Sequence, residues 1–127
     1  MKIPSLNSNS KGDSYFGEVQ TAAPAGSSIS GPGGTDVRYM DTESWQIWEM
    51  KPGHFQDFRP TEQPQCIAIM SGKIAVTASV GETRNFARGD MLLLQDLTGK
   101  GHALRAYGVE PCTVLLLTMK QIMQPTG

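Results

Sequence analysis

The sequence has no apolar run long enough to cross a membrane. Its longest, such as Val114 to Leu117, fall far short of the roughly 20 residues a spanning helix needs. It has no run of Lys or Arg either: eleven basic residues, spread singly from Lys2 to Lys120, face twelve acidic ones, for a formal net charge of -1. Without a phosphate-neutralising stripe, neither nucleic acid nor membrane is an expected partner. The N-terminal MKIPSLNSNSKGD lacks the apolar core of a secretory signal, so a cytoplasmic location is expected. Cysteine is scarce as well. Cys66 and Cys112 are too few for a disulfide framework, lack metal-type spacing and read as reduced core residues in strands. Helical periodicity is missing too, a short turn near Gln121 to Gln124 aside.

What is present is a chain of short strands. Residues 1–12 are polar and read as a mobile or docking arm, and 13–127 as a single domain, since 127 residues can bury one core but hardly two. Ser14 to Thr21 is the first strand. Ala22 to Thr35, with Pro24, Gly26, Gly31, Pro32, Gly33 and Gly34, reads as a loop. Val37 to Met40 and Trp45 to Met50 are strands; in the second, Trp45, Ile47 and Glu49 share one face and Gln46, Trp48 and Met50 the other, and bulk on both faces predicts burial on both. His54 to Pro64 reads as irregular. Strands are then expected at Gln65–Met70, Lys73–Val80, Thr83–Ala87, Met91–Gln95, His102–Tyr107 and Cys112–Met119, with turn residues between them. The fold class is all-β, and this pattern suits a double-sheet jelly-roll barrel.

The stretch from Gly53 to Gly72, GHFQDFRPTEQPQCIAIMSG, carries a spaced frame. After Gly53, five residues precede Arg59, one more precedes Thr61, three more Gln65 and six more Gly72. This frame resembles the first motif of the cupin family, in which His, His, Glu and Gly follow a Gly at these spacings. A second segment resembles that family's second motif, with Gly89, Gly99 and His102 at matching places. There Leu97 replaces a Pro, two residues are inserted, and Ala106 replaces the final Asn. The resemblance spans roughly residues 53–106 and implies the cupin double-stranded β-helix.

It also implies where a site should lie. Arg59, Thr61 and Gln65 stand in place of three metal ligands, and only His102 keeps its ligand type. A metal centre needs several converging His, Cys or carboxylate groups. The chain has two His, and His54 reads as lying at a strand end outside the barrel. No metal and no cofactor are therefore expected, although a metal-dependent enzyme with a reduced ligand set stays open. Alternation puts Gln65, Ile67 and Ile69 on the barrel's inner face and pairs His102 with Leu104 on theirs. Trp48 joins them as a substrate-facing candidate, although a tryptophan is more often core or interface. Arg59 could hold a carboxylate or enolate, Thr61 and Gln65 could orient a carbonyl or hydroxyl, and His102 could move a proton. The plainer readings are a structural His102, an Arg59 paired with Asp57 or Glu62, and an Asp96 and Lys100 explained by turn formation.

The function this implies is a cofactor-free isomerase, cyclase, dehydratase or lyase acting on a small organic acid or carbonyl compound. A non-catalytic ligand-binding module is the alternative. A homodimer is expected, with the polar N-terminal segment and the strand at Ser14 to Thr21 adding to the edge of a partner's sheet.

Overall fold

Period-two alternation bounded by glycine turns builds the second half of this chain, and the computed structural model shows those strands where the turns put them. It describes residues 2–20, 29–30, 36–37 and 40–125. Among these, twelve strands and no helix follow in chain order: β1 (Lys2–Ser8), β2 (Ser14–Gln20), β3 (Ile29–Ser30), β4 (Asp36–Val37), β5 (Thr42–Met50), β6 (Phe55–Arg59), β7 (Gln65–Ser71), β8 (Lys73–Ala78), β9 (Thr83–Ala87), β10 (Met91–Gln95), β11 (His102–Tyr107) and β12 (Cys112–Met119). They form a six-stranded sheet, β2-β1-β10-β7-β12-β5, and a four-stranded sheet, β6-β11-β8-β9, with β3 and β4 paired apart. The all-β jelly roll is the observed architecture.

Leu6, Ile67, Ile74, Leu92, Val114 and Leu116 anchor the buried cluster between the two sheets. Each contributes roughly 1.5–3 kcal/mol of apolar burial. A smaller cluster of Ile3, Val19, Cys66, Leu93 and Met119 covers the outer face of the six-stranded sheet, with Met40, Met91, Leu117 and Met123 against it. Gln95 ties the C-terminal segment over this face: its Nε2 donates to the Met123 carbonyl at 2.7 Å, and its Oε1 accepts from Met123 N at 2.7 Å.

Four expectations need correcting. The arm expected over residues 1–12 is not what Lys2–Ser8 form, because β1 is an interior strand, parallel to β10 and antiparallel to β2. Its polar residues hide this. Ser5 and Asn7 are buried but satisfied, with Asn7 Nδ2 donating to Ser5 Oγ at 3.0 Å and Gln95 Nε2 to Asn7 Oδ1 at 3.4 Å. β5 is not buried on both faces: it is an edge strand, with Trp45 65% and Ile47 64% exposed and only Met50 buried. The irregular stretch after His54 contains β6, a short edge strand. No helical turn forms near Gln121 to Gln124.

Within the loop expected over Ala22 to Thr35, only Ile29 and Ser30 are described, and they pair with Val37 and Asp36; the rest lies outside the described residues, as do residues 38 and 39 of the strand expected at Val37 to Met40. Both cysteines are free and buried in strands, as expected. No helix among the described residues is long and apolar enough to cross a membrane.

Candidate functional site

The two motif segments meet because β6 pairs with β11. Arg59 lies directly opposite His102 in that ladder, and Gln56 lies opposite Leu104. Between these two pairs β6 uses three residues where β11 uses two, which is a bulge. It inverts the alternation. Gln56 and Arg59 therefore both line the cavity, while Phe55 and Phe58 are exposed. A regular strand would have turned one of the two polar residues outward.

Gly101 sets the approach of the next loop. Its φ of +70° lies in the left-handed region, and a β-carbon there would fall on the Arg59 carbonyl. Only glycine lets the chain pass this close to the end of β6. Ser14 Oγ donates to the Gly101 carbonyl at 2.7 Å, and Lys100 N donates to the Gly12 carbonyl at 2.9 Å. Lys100 Nζ also meets Asp13 Oδ1 at 3.1 Å; together with a hydrogen bond from Ser79, this holds the Asp13 carboxyl below its usual range. The residues just before β2 thus brace the loop that presents His102.

At the centre lies a buried chain of three side chains. His102 Nδ1 donates to Asp96 Oδ2 at 2.7 Å, and Thr61 Oγ1 donates to Asp96 Oδ1 at 2.9 Å. Thr61 N also donates to the Asp96 carbonyl at 3.0 Å. Asp96 is fully buried, and Thr61 and His102 nearly so. The carboxylate fixes the ring tautomer and orientation, leaving Nε2 with the lone pair. Among the described residues no buried side-chain nitrogen or oxygen lacks a partner and none bonds Nε2, so Nε2 is at the cavity surface.

The cavity has a volume of about 310 Å³ and lies between the two sheets. Arg59, Thr61, Gln65, Ile67, Leu104, Trp48 and His102 all line it. Ile69 does not. It follows the same alternation but sits deeper, packed in the apolar cluster between the sheets. Thr61 lines the wall with its hydroxyl proton committed to Asp96, which makes it a support for the carboxylate. Arg59 makes no ion pair among the described residues, with Asp57, Glu62 or any other acid.

Three residues escaped the sequence reading. Asp96 reads as a turn residue in a Gly-containing loop, yet it is the buried partner of His102. The available signal was its place just after the apolar MLLLQ run of β10, where a carboxylate enters the core. His54 reads as outside the barrel but lines the cavity rim, and Gln56 joins it from the unrecognised β6.

The chain belongs to the EutQ-like cupin family, whose domain model matches residues 37–109, more than half of its length. Solved structures share the fold. A sugar phosphate isomerase of the cupin superfamily from Silicibacter pomeroyi matches with a TM-score of 0.50 at 18% identity, over 61% of this chain and 50% of that one. This chain thus spans about half of that protein's length. A protein from Bacillus halodurans matches with a TM-score of 0.50 at 13% identity, over 65% of this chain and 66% of that one. A cupin domain from Bordetella pertussis matches with a TM-score of 0.48 at 16% identity, over 65% of this chain and 88% of that one. No curated protein matches the chain.

Many cupins bind a metal through the positions held here by Arg59, Thr61, Gln65 and His102. The residues present do not fit one. Three of the four are non-ligand types or a fixed cation, and His102 is tied to Asp96 through Nδ1. No group of three or more His, Cys, Asp or Glu among the described residues could hold an ion.

Proposed function

We propose that this protein is a small-molecule enzyme that moves protons without a metal or redox cofactor, in the class of isomerases, cyclases, dehydratases and lyases. The observation that carries this reading is the Thr61–Asp96–His102 chain ending at the cavity beside Arg59. His102 Nε2 takes a proton from a carbon or hydroxyl of the substrate, and Asp96 holds the counter-charge to the imidazolium that forms. Arg59, directly across the ladder, receives the carboxylate or enolate oxygen and stabilises its negative charge. Gln65 and Gln56 offer amide groups to a carbonyl or hydroxyl at the rim. One fold neighbour bears the name sugar phosphate isomerase, a reaction of the proton-transfer type, though at 18% identity that likeness carries the fold alone.

The test is hydrogen exchange in heavy water. The protein is incubated with a panel of small keto acids, unsaturated acids and hydroxy acids, and deuterium uptake or rearrangement is read by mass spectrometry. The expected result is exchange in at least one acid that disappears in His102→Gln. If ligands bind and leave unchanged across the panel, the protein is a binding module and this reading is wrong.

A further inference from the structure

We infer that the cavity takes a monocarboxylate with an apolar body, and not a polyhydroxylated acid or a sugar phosphate; this rests on the reading of Arg59 and His102 given above. The carrying observation is that polarity in the cavity is sorted by depth. Its buried wall consists of Met50, Ile67, Ile74, Leu94, Val114 and Leu116. The only polar side chains buried with them are Thr61 and His102, and both are already tied to Asp96. His54, Arg59 and Glu62 lie exposed at the rim, and Gln56 and Gln65 are half-buried just inside it.

A sugar carries hydroxyls along its whole length, and each one placed against the wall would lose water without a partner. Such a loss costs about 1–3 kcal/mol per group in proteins. An alkyl or aryl body gains from the same wall. The Trp48 indole adds to it, with its N–H already donated to Gln46 Oε1 at 2.7 Å. The polar head is accommodated beside Arg59, within reach of His102 and the half-buried amides of Gln56 and Gln65, at the outer end of the cavity. Glu62 at the same rim disfavours a second acid group. A volume of about 310 Å³ limits the body to the small end of ordinary ligands.

The experiment uses Trp45→Phe, which leaves Trp48 as the only tryptophan and a reporter on the cavity wall. Its fluorescence is titrated with butanoate, hexanoate and octanoate, the matching alcohols, and a hexose phosphate. Each added methylene should tighten binding about fourfold until the cavity is full. Carboxylates should bind at least about tenfold tighter than the alcohols. Arg59→Gln should erase that preference while keeping the dependence on chain length. Ile67→Trp should abolish binding by filling the floor; should it not fold, Val114→Met should shift the optimum to shorter chains.

Affinity that is flat with chain length, a hexose phosphate that binds more tightly than octanoate, or binding indifferent to the wall substitutions overturns the inference. Binding requires no turnover. A chain-length series that holds without any proton exchange therefore sinks the enzymatic reading alone, and exchange on a sugar phosphate sinks this one alone.

Discussion

Asp96→Asn tests the central geometry without any knowledge of the substrate. The substitution keeps the size of a fully buried side chain and changes which of its atoms can accept a proton. Thr61 Oγ1 donates at 2.9 Å and selects the amide oxygen. The amide nitrogen is then left facing His102 Nδ1 across 2.7 Å. Two donors cannot share that contact, so the ring must accept at Nδ1 and carry its proton on Nε2. The group expected to act as base is then capped. Replacing a charge-assisted hydrogen bond by a neutral one should lower stability by about 1–2 kcal/mol. Turnover should fall by roughly 10²–10⁴, the usual contribution of a positioned base.

The assay is heteronuclear NMR of isotope-labelled imidazole nitrogens in a His54→Ala background, which leaves His102 as the only histidine. The parent should carry its proton on Nδ1, and Asp96→Asn should carry it on Nε2. If both proteins show the same tautomer, the argument that Asp96 positions His102 fails. Chemical denaturation of the two should give equal slopes, so that the midpoint shift reads stability directly.

Other substitutions probe separate links. Gly101→Ala sets a side chain in a left-handed φ of +70° and against the Arg59 carbonyl, and should lower Tm sharply or prevent folding; a Tm within a degree or two of the parent refutes the close approach. Gln95→Ala removes both hydrogen bonds to Met123 and should cost about 1–3 kcal/mol. Amide exchange near Met123 should speed up in that variant, and unchanged protection counts against the clamp.

Burial pushes the Cys66 thiol from 9.0 up to about 11, so the thiol should resist alkylation at neutral pH in the native state. Because the unfolded thiol ionises first, its contribution to stability is complete below about pH 9 and is lost as pH rises towards about 11. Cys66→Ala should lose less stability than the parent across that range in denaturation curves. We propose a homodimer formed through β2, the edge strand of the six-stranded sheet. A monomer mass by light scattering at micromolar concentration contradicts it.

Much of the site was legible because spacing and alternation are local properties. Gly53, Arg59, Thr61 and Gln65 sit at fixed intervals, and period two assigns Ile67 and Leu104 to a face before any pairing is known. Ile69 failed because alternation gives the face and not the depth along the strand. Asp96 failed for another reason. A carboxylate in a Gly-containing loop is ordinarily solvated, and only contacts across 35 positions to Thr61 and six to His102 show that this one is buried and held.

The sequence by itself determined an all-β chain, the strands of its second half, the cupin frame and the replacement of three metal-ligand positions by Arg59, Thr61 and Gln65. The tertiary structure alone decided the rest. It brought polar β1 into the interior, because the Asn7 side-chain carbonyl oxygen meets Gln95 Nε2 only once β1 and β10 are neighbours. It set Arg59 at the cavity rim on the same side as Gln56, because the bulge in β6 is defined by β11 as its partner. It joined Thr61, Asp96 and His102, because hydrogen bonds between distant segments exist only after the two sheets have closed.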